Sequence, residues 1–131
     1  MVRDPAIISA YRRLLRTGLQ VVRYATPGRY QVVTILRDSF RNSPRSAFVP
    51  RRIEKTLAFL RHARDHKGKE VKIVRNILHI RWWREHRDKL KPPLPMRQNT
   101  DMGVDLRHNV PAQFDATLTM LNESLDICLK I

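Results

Sequence analysis

The residues best placed to do chemistry lie in Ala10-Tyr11-Arg12-Arg13-Leu14-Leu15-Arg16. Side chains three and four apart share a helix face, so Tyr11, Leu14 and Leu15 would form an apolar stripe there. Arg12, Arg13 and Arg16 would rim that stripe. A stripe of this kind beside a cationic shoulder suits a ligand that is both greasy and acidic. Reactive constellations are harder to find. His62 and His66 have the i, i+4 spacing of a metal pair, but no Cys or Glu joins them and the surrounding charge is positive. Cys128, the single cysteine, has no His partner and reads as a small apolar residue. With four glycines in the chain there is no phosphate-binding Gly loop. The expectation is a binding protein, not an enzyme, with no metal or cofactor of its own.

Charge sharpens that expectation. The 131 residues carry 26 Lys+Arg against 12 Asp+Glu, a formal +14. Residues 101–131 hold five acids and two bases, which leaves 24 bases and seven acids in residues 1–100. The first part is therefore near +17 and the last near −3. A segment of +17 attracts polyanions, and its preponderance of Arg favours bidentate contacts to phosphate and carboxylate. No apolar run approaches the roughly 18 residues of a membrane span. The Arg-rich, acid-poor start resembles mitochondrial import segments. No cleavage signal is clear, so a retained internal signal is expected.

The elements that must position these residues read as helices. Asp4 caps a first helix with Pro5 at its first position, running to about Tyr24. Thr26-Pro27 opens a second, to about residue 42, with Tyr30, Val33, Leu36, Arg37 and Phe40 on or near one face and Arg41 beside it. A third follows Pro50, with Ile53, Leu57 and Leu60 in stripe, and fades at His66-Lys67-Gly68. Short connections between three such helices predict an antiparallel bundle over residues 1–66. Residues 67–91 read as a basic fourth helix. Its stripe is Val71, Val74, Ile77, Leu78 and Trp82, and its cations stand beside Trp82-Trp83. Arg75, Arg81, Trp83, Arg84, Arg87 and Lys89 are its RNA-contacting candidates, Arg for phosphate and an aromatic for a base. Residues 92–110 read as an extended Pro-rich arm. Residues 111–131 read as a C-terminal amphipathic helix starting at Pro111, with Asn109 as cap and Phe114, Leu118, Leu121 and Leu125 in stripe. The fold class is all-α.

Tyr11-Arg12 with Leu14-Leu15-Arg16, then Arg37 and Phe40-Arg41 in the next helix, resemble the LYR-motif (complex1-LYR) family of small three-helix mitochondrial proteins. Ala10 stands where that family has Leu. Tyr11–Gly18, Ile35–Asn42 and Ile53–Leu60 are similar in order and spacing to the short LYR proteins of the mitochondrial large ribosomal subunit assembly module. The resemblance covers about residues 5–65. It implies a three-helix LYR bundle in the mitochondrial matrix that binds the mitochondrial acyl carrier protein. The acyl chain on the carrier's 4′-phosphopantetheine arm would insert into the bundle. Tyr11, Arg12, Arg13, Arg16, Arg37, Phe40 and Arg41 would then hold the carrier, and Leu14, Leu15, Gly18, Val33, Leu36 and Leu57 would line the acyl chain. A ribosome-silencing-type assembly factor and large-subunit rRNA and proteins are further implied partners, in subunit assembly or in preventing premature subunit joining. Two other readings stay open: an assembly or accessory factor of a respiratory complex, and a constitutive RNA-binding protein of the mitoribosome.

Overall fold

The computed structural model describes residues 4–86 and 101–130, apart from the side chains of residues 101–104 and 106–108. Helix α1 spans Pro5–Val21, α2 Gly28–Asn42, α3 Pro50–Asp65, α4 Lys69–His86 and α5 Asp101–Leu125, with a short 3-10 turn at Arg45–Ala47 between α2 and α3. No strand occurs among the described residues, so the chain is all-α there.

Local chemistry sets the helix ends. Asp4 Oδ1 accepts from the Ala6 N–H at 2.9 Å and satisfies one orphan donor of α1, whose first residue is Pro5. Pro50 is likewise the first residue of α3, whose N-cap Val49 provides no side-chain bond. The α1–α2 turn is tighter than the sequence suggests. Arg23 and Tyr24 take left-handed φ values of 53° and 56°, in the region glycine favours. The Tyr24 N–H returns to the Leu19 carbonyl at 3.0 Å, and α1 therefore stops at Val21 instead of reaching Tyr24. Pro27 is the cap of α2 and Thr26 lies in the turn.

The stripes then select the packing. α1 lies against α2 and α3, and α4 against α2 and α3. The expected three-helix bundle with an appended basic helix is thus a four-helix arrangement. The reason is hydrophobic: Val71, Val74, Ile77 and Leu78 of α4 are buried in the same core as Leu14, Val32, Ile35, Leu57 and Leu60. α1 and α2 approach closely at Gly18, where a Cβ would sit 2.9 Å from Val32 Cγ1.

The C-terminal part also differs from expectation. Residues 101–110, read as extended arm, are helical, and Pro111 lies inside α5 instead of starting it. Residues 92–100 of that arm lie outside the described residues. α5 folds back onto the bundle. Leu118 is buried, Phe114 packs on the core, and Arg84 Nη2 reaches Asp115 at 3.1 Å and the Pro111 carbonyl at 3.4 Å. After a left-handed turn at Asp126 (φ 54°), residues 127–130 cross the start of α3. Asp126 sits among Arg51, Arg52 and Lys55, at 2.7, 3.1 and 3.3 Å. The Cys128 N–H donates to Thr56 Oγ1 at 3.0 Å, and Lys130 Nζ meets Ser43 Oγ at 2.8 Å.

Candidate functional site: an apolar slot with a basic mouth

The four helices do not close completely on one another. Between them runs a cavity of about 950 Å³, at the upper end of the range for ligand sites of about 300–1,000 Å³. Its inner end is made by Gly18 of α1, Val32 of α2, Leu60 of α3 and Val74 of α4. Its middle is lined by Leu14, Ile35, Leu36, Ile53, Ile77 and Leu78. Its outer end lies at Asp4, Ile7, Tyr11 and Arg12 of α1, Ser39 to Arg41 of α2, the 3-10 turn and Lys130. From Ile7 to Gly18 the slot follows α1 for about 16 Å, at 1.5 Å per helical residue.

The sequence places apolar and basic residues together, and the helix geometry sorts them. Tyr11 and Phe40 meet edge to face across the mouth, with ring centroids 5.3 Å apart and planes at 78°, a favoured arrangement for aromatic pairs. This contact ties α1 to α2 and leaves the slot open beneath it. Arg12 and Arg41 are exposed at the rim and, among the described residues, form no ion pair or hydrogen bond. Arg45 and Lys130 add two further cations and Asp4 a single carboxylate.

The structure divides the expected site residues. Tyr11, Arg12, Phe40 and Arg41 are brought to the mouth, and Leu14, Gly18 and Leu36 into the slot. Leu15 and Val33 are half-buried and do not line it. Leu15 packs against the core without reaching the slot. Leu57, wholly buried, packs in the core away from the slot. Arg13 turns to α3 and forms a two-pronged ion pair with Glu54. That pair's own hydrogen bonds hold the Glu54 carboxyl below its usual range. Arg16 stands with Arg12 and Arg13 on a shallow outer groove beside Ile8 and Ser9. Arg37 is exposed and does not line the slot.

Two of the expected RNA contacts on α4, Arg81 and Arg84, are engaged inside the molecule. Arg81 binds Asp38 at 2.7 Å and Glu85 at 2.8 Å. The Arg81 guanidinium holds the Glu85 carboxyl below its usual range, against partial burial, and Gln31 Nε2 donates to it at 3.1 Å. Arg84 is engaged by α5 and lies over the Phe114 ring. These arginines clamp α4 to its neighbours because α2 and α5 supply the carboxylates, a pairing invisible along the chain. Trp83 is half-buried, and Trp82 stacks on His86 with ring centroids 4.5 Å apart. Arg75 is exposed. Arg87 and Lys89 lie outside the described residues. His62 and His66 stack on each other at 4.4 Å, and His62 Nδ1 lies 3.6 Å from Glu70. No group of three or more metal-ligating side chains occurs among the described residues, and no helix there is long and apolar enough to cross a membrane.

Some lining residues were not expected. Val74, Ile77 and Leu78 had a readable stripe, but their facing partner had none. Cys128, Leu129 and Lys130 enter the wall through a long-range bond, Cys128 to Thr56, that leaves no periodic trace.

Comparison with known proteins finds a mitochondrial relative. The chain is 35% identical over 78 residues to the UPF0593 mitochondrial protein C806.05 of Schizosaccharomyces pombe. The match covers 58% of this chain and 62% of the relative, so the chain spans less than two thirds of that relative's length. No family model and no solved structure matches. The chain is thus similar, over more than half its length, to a protein named as mitochondrial.

Proposed function

We propose that the protein is a non-enzymatic mitochondrial adaptor that receives the acyl chain of an acyl carrier protein in the slot and the carrier's acidic surface on the arginine rim. One observation carries the reading: an apolar slot about 16 Å long opens beside Arg12 and Arg41, which have no partner among the described residues. Each methylene moved from water into such a slot contributes about 0.8 kcal/mol. The rim can meet carboxylates, or the phosphate of the carrier's arm, in charge-assisted hydrogen bonds. Tyr11 and Phe40 would flank the entering thioester end. The surplus of cations over acids supports association with the RNA-rich mitochondrial large subunit during its assembly, in the matrix, more than with a respiratory complex.

The test is recovery of tagged protein from mitochondria followed by identification of what accompanies it. Acyl carrier protein together with large-subunit proteins is the expected result. A respiratory intermediate would support an accessory factor, and RNA-dependent recovery without carrier would support a constitutive ribosomal protein. Arg12→Glu with Arg41→Glu should abolish carrier recovery while leaving the fold intact, because neither guanidinium has a partner to lose among the described residues. Undiminished carrier binding by that variant would refute the assignment of the mouth.

A further inference from the structure

The slot opens at one end of the bundle; the opposite end has a different chemistry. The α1–α2 and α3–α4 turns lie there side by side, joined by a hydrogen bond from Arg64 Nη1 to Gln20 Oε1 at 2.8 Å. Tyr24, in the first turn, and Tyr30, in the opening turn of α2, are each 55% exposed. Arg23 and Arg29 flank them and are exposed. Arg29 lies 4.8 Å over the Tyr30 ring and donates to its hydroxyl at 2.8 Å. On the second turn Lys67 and Lys69 are exposed. Among the described residues Arg23, Lys67 and Lys69 form no ion pair. No acid occurs between Asp4 and Asp38 in the sequence, so the first turn is purely cationic.

The tyrosines are held out, not left loose. Tyr24 N–H bonds to Leu19 O at 3.0 Å, Ala25 N–H to Val22 O at 3.1 Å and Arg29 N–H to Ala25 O at 2.9 Å. The chain keeps Arg23 and Tyr24 in the left-handed region, where glycine would be at ease. A strained turn and the start of the next helix, which carry two exposed rings each preceded by an arginine, suit stacking of unpaired bases, with the phosphates held by the cations. A protein partner would be served by the rings, but the uncompensated cations favour a polyanion.

We infer that this end of the bundle is a binding site for single-stranded RNA, with Tyr24 and Tyr30 as stacking platforms and Arg23, Arg29, Lys67 and Lys69 as phosphate contacts. The inference gives the ribosomal side of the proposed function a surface of its own, remote from the mouth, but does not need the carrier reading. It also differs from the α4 face suggested by the sequence.

The test is titration of the full chain with a labelled, unstructured RNA of about a dozen nucleotides, within the site sizes common for single-strand binders, and with an A-form duplex of equal length. The single strand should bind more tightly. Tyr30→Ala, on a regular exposed helical turn, should weaken single-strand binding about ten-fold and leave duplex binding unchanged. Tyr24→Gly should weaken it similarly while raising the melting temperature, a pairing of signs that loss of fold cannot produce. Arg23→Gln with Arg29→Gln should reduce the slope of log affinity against log salt by about 1.4, or 0.7 for each single-strand phosphate contact. Equal affinity for the two RNAs, or tyrosine variants that bind RNA like the parent, would overturn the site. So would capture of a protein at this end with RNA binding unchanged. Carrier binding is read in parallel and should be untouched by all these variants. A parent that binds RNA in this way but no carrier would remove the proposed function and leave this site standing.

Discussion

Filling the inner end of the slot tests the acyl reading most directly. Val74, 7% exposed, stands there with Gly18, Val32 and Leu60. Room on the α1–α2 side is already gone, since a methyl on Gly18 would come within 2.9 Å of Val32. A larger side chain at Val74 therefore has to enter the slot. If the ring of Val74→Phe takes the room of about two to three methylenes, a long acyl chain loses about 1.6–2.4 kcal/mol, or roughly 15- to 50-fold in affinity. The assay is binding of carrier loaded with a long chain, a short chain or bare phosphopantetheine. Only the long-chain carrier should weaken, because the others do not reach the inner end. The ring enters empty space, so the cost in stability should stay below the 1–3 kcal/mol typical of overpacking a filled core. Val74→Ala should shift preference towards longer chains. Equal loss for all three carriers would mean that the ring acts through the fold, and no loss for the long chain would mean that the chain does not enter this slot. Either outcome refutes the reasoning.

Other consequences concern how the slot is built. Gly18→Ala should gain about 1 kcal/mol in helix propensity but lose about 1–3 kcal/mol by overpacking against Val32, a β-branched residue with little rotamer freedom. Denaturant titration should show net destabilisation, largely relieved by adding Val32→Ala; a more stable Gly18→Ala would contradict the close approach. Thr56→Val should leave the Cys128 N–H without its acceptor, at a cost of about 1–3 kcal/mol, and should expose the last residues to limited proteolysis, whereas Thr56→Ser should not. Burial pushes the Asp126 carboxyl up, but its hydrogen bond with Lys55 and the charges of Arg51, Lys55 and Arg52 outweigh that and set it below its usual range. A carboxyl depressed on folding contributes stability that is present above its unfolded pKa, about 3.9, and lost as pH falls through the folded value. Release of the C-terminal segment should therefore begin below about pH 4 and be detectable by protease sensitivity, and Asp126→Asn should release it at neutral pH. A segment equally protected at pH 3 and pH 7 would rule this out.

Much of the fold was legible in the chain because helix signals are local. Asp4 marks a helix start by capping, Pro5 and Pro50 by the fixed φ of proline at the first position, and the stripes of α1, α3 and α4 follow from the 3.6-residue period. The misreadings share a cause. Pro111 looks like a helix start, but its place inside α5 depends on what precedes it and on docking against α4. Tyr24 looks like the last residue of α1, but the chain turns earlier through a left-handed pair that neither Arg23 nor Tyr24 announces. Leu15, Val33 and Leu57 carry the right chemistry for a lining; the choice of neighbour in the packed bundle sends them elsewhere.

By itself the sequence determined that this is a helical, strongly basic protein whose first helix joins an apolar stripe to a row of arginines. Composition and periodicity suffice for that, since both act within a few residues. Only the tertiary structure decided which arginines remain free. Arg13, Arg81 and Arg84 find carboxylates on other helices and become part of the scaffold. Arg12 and Arg41, equally basic in the chain, meet none among the described residues and rim the slot. The slot too is a tertiary fact: four helices and the last residues of the chain each contribute a wall, and whether packed side chains fill a space or leave one depends on how all of them meet.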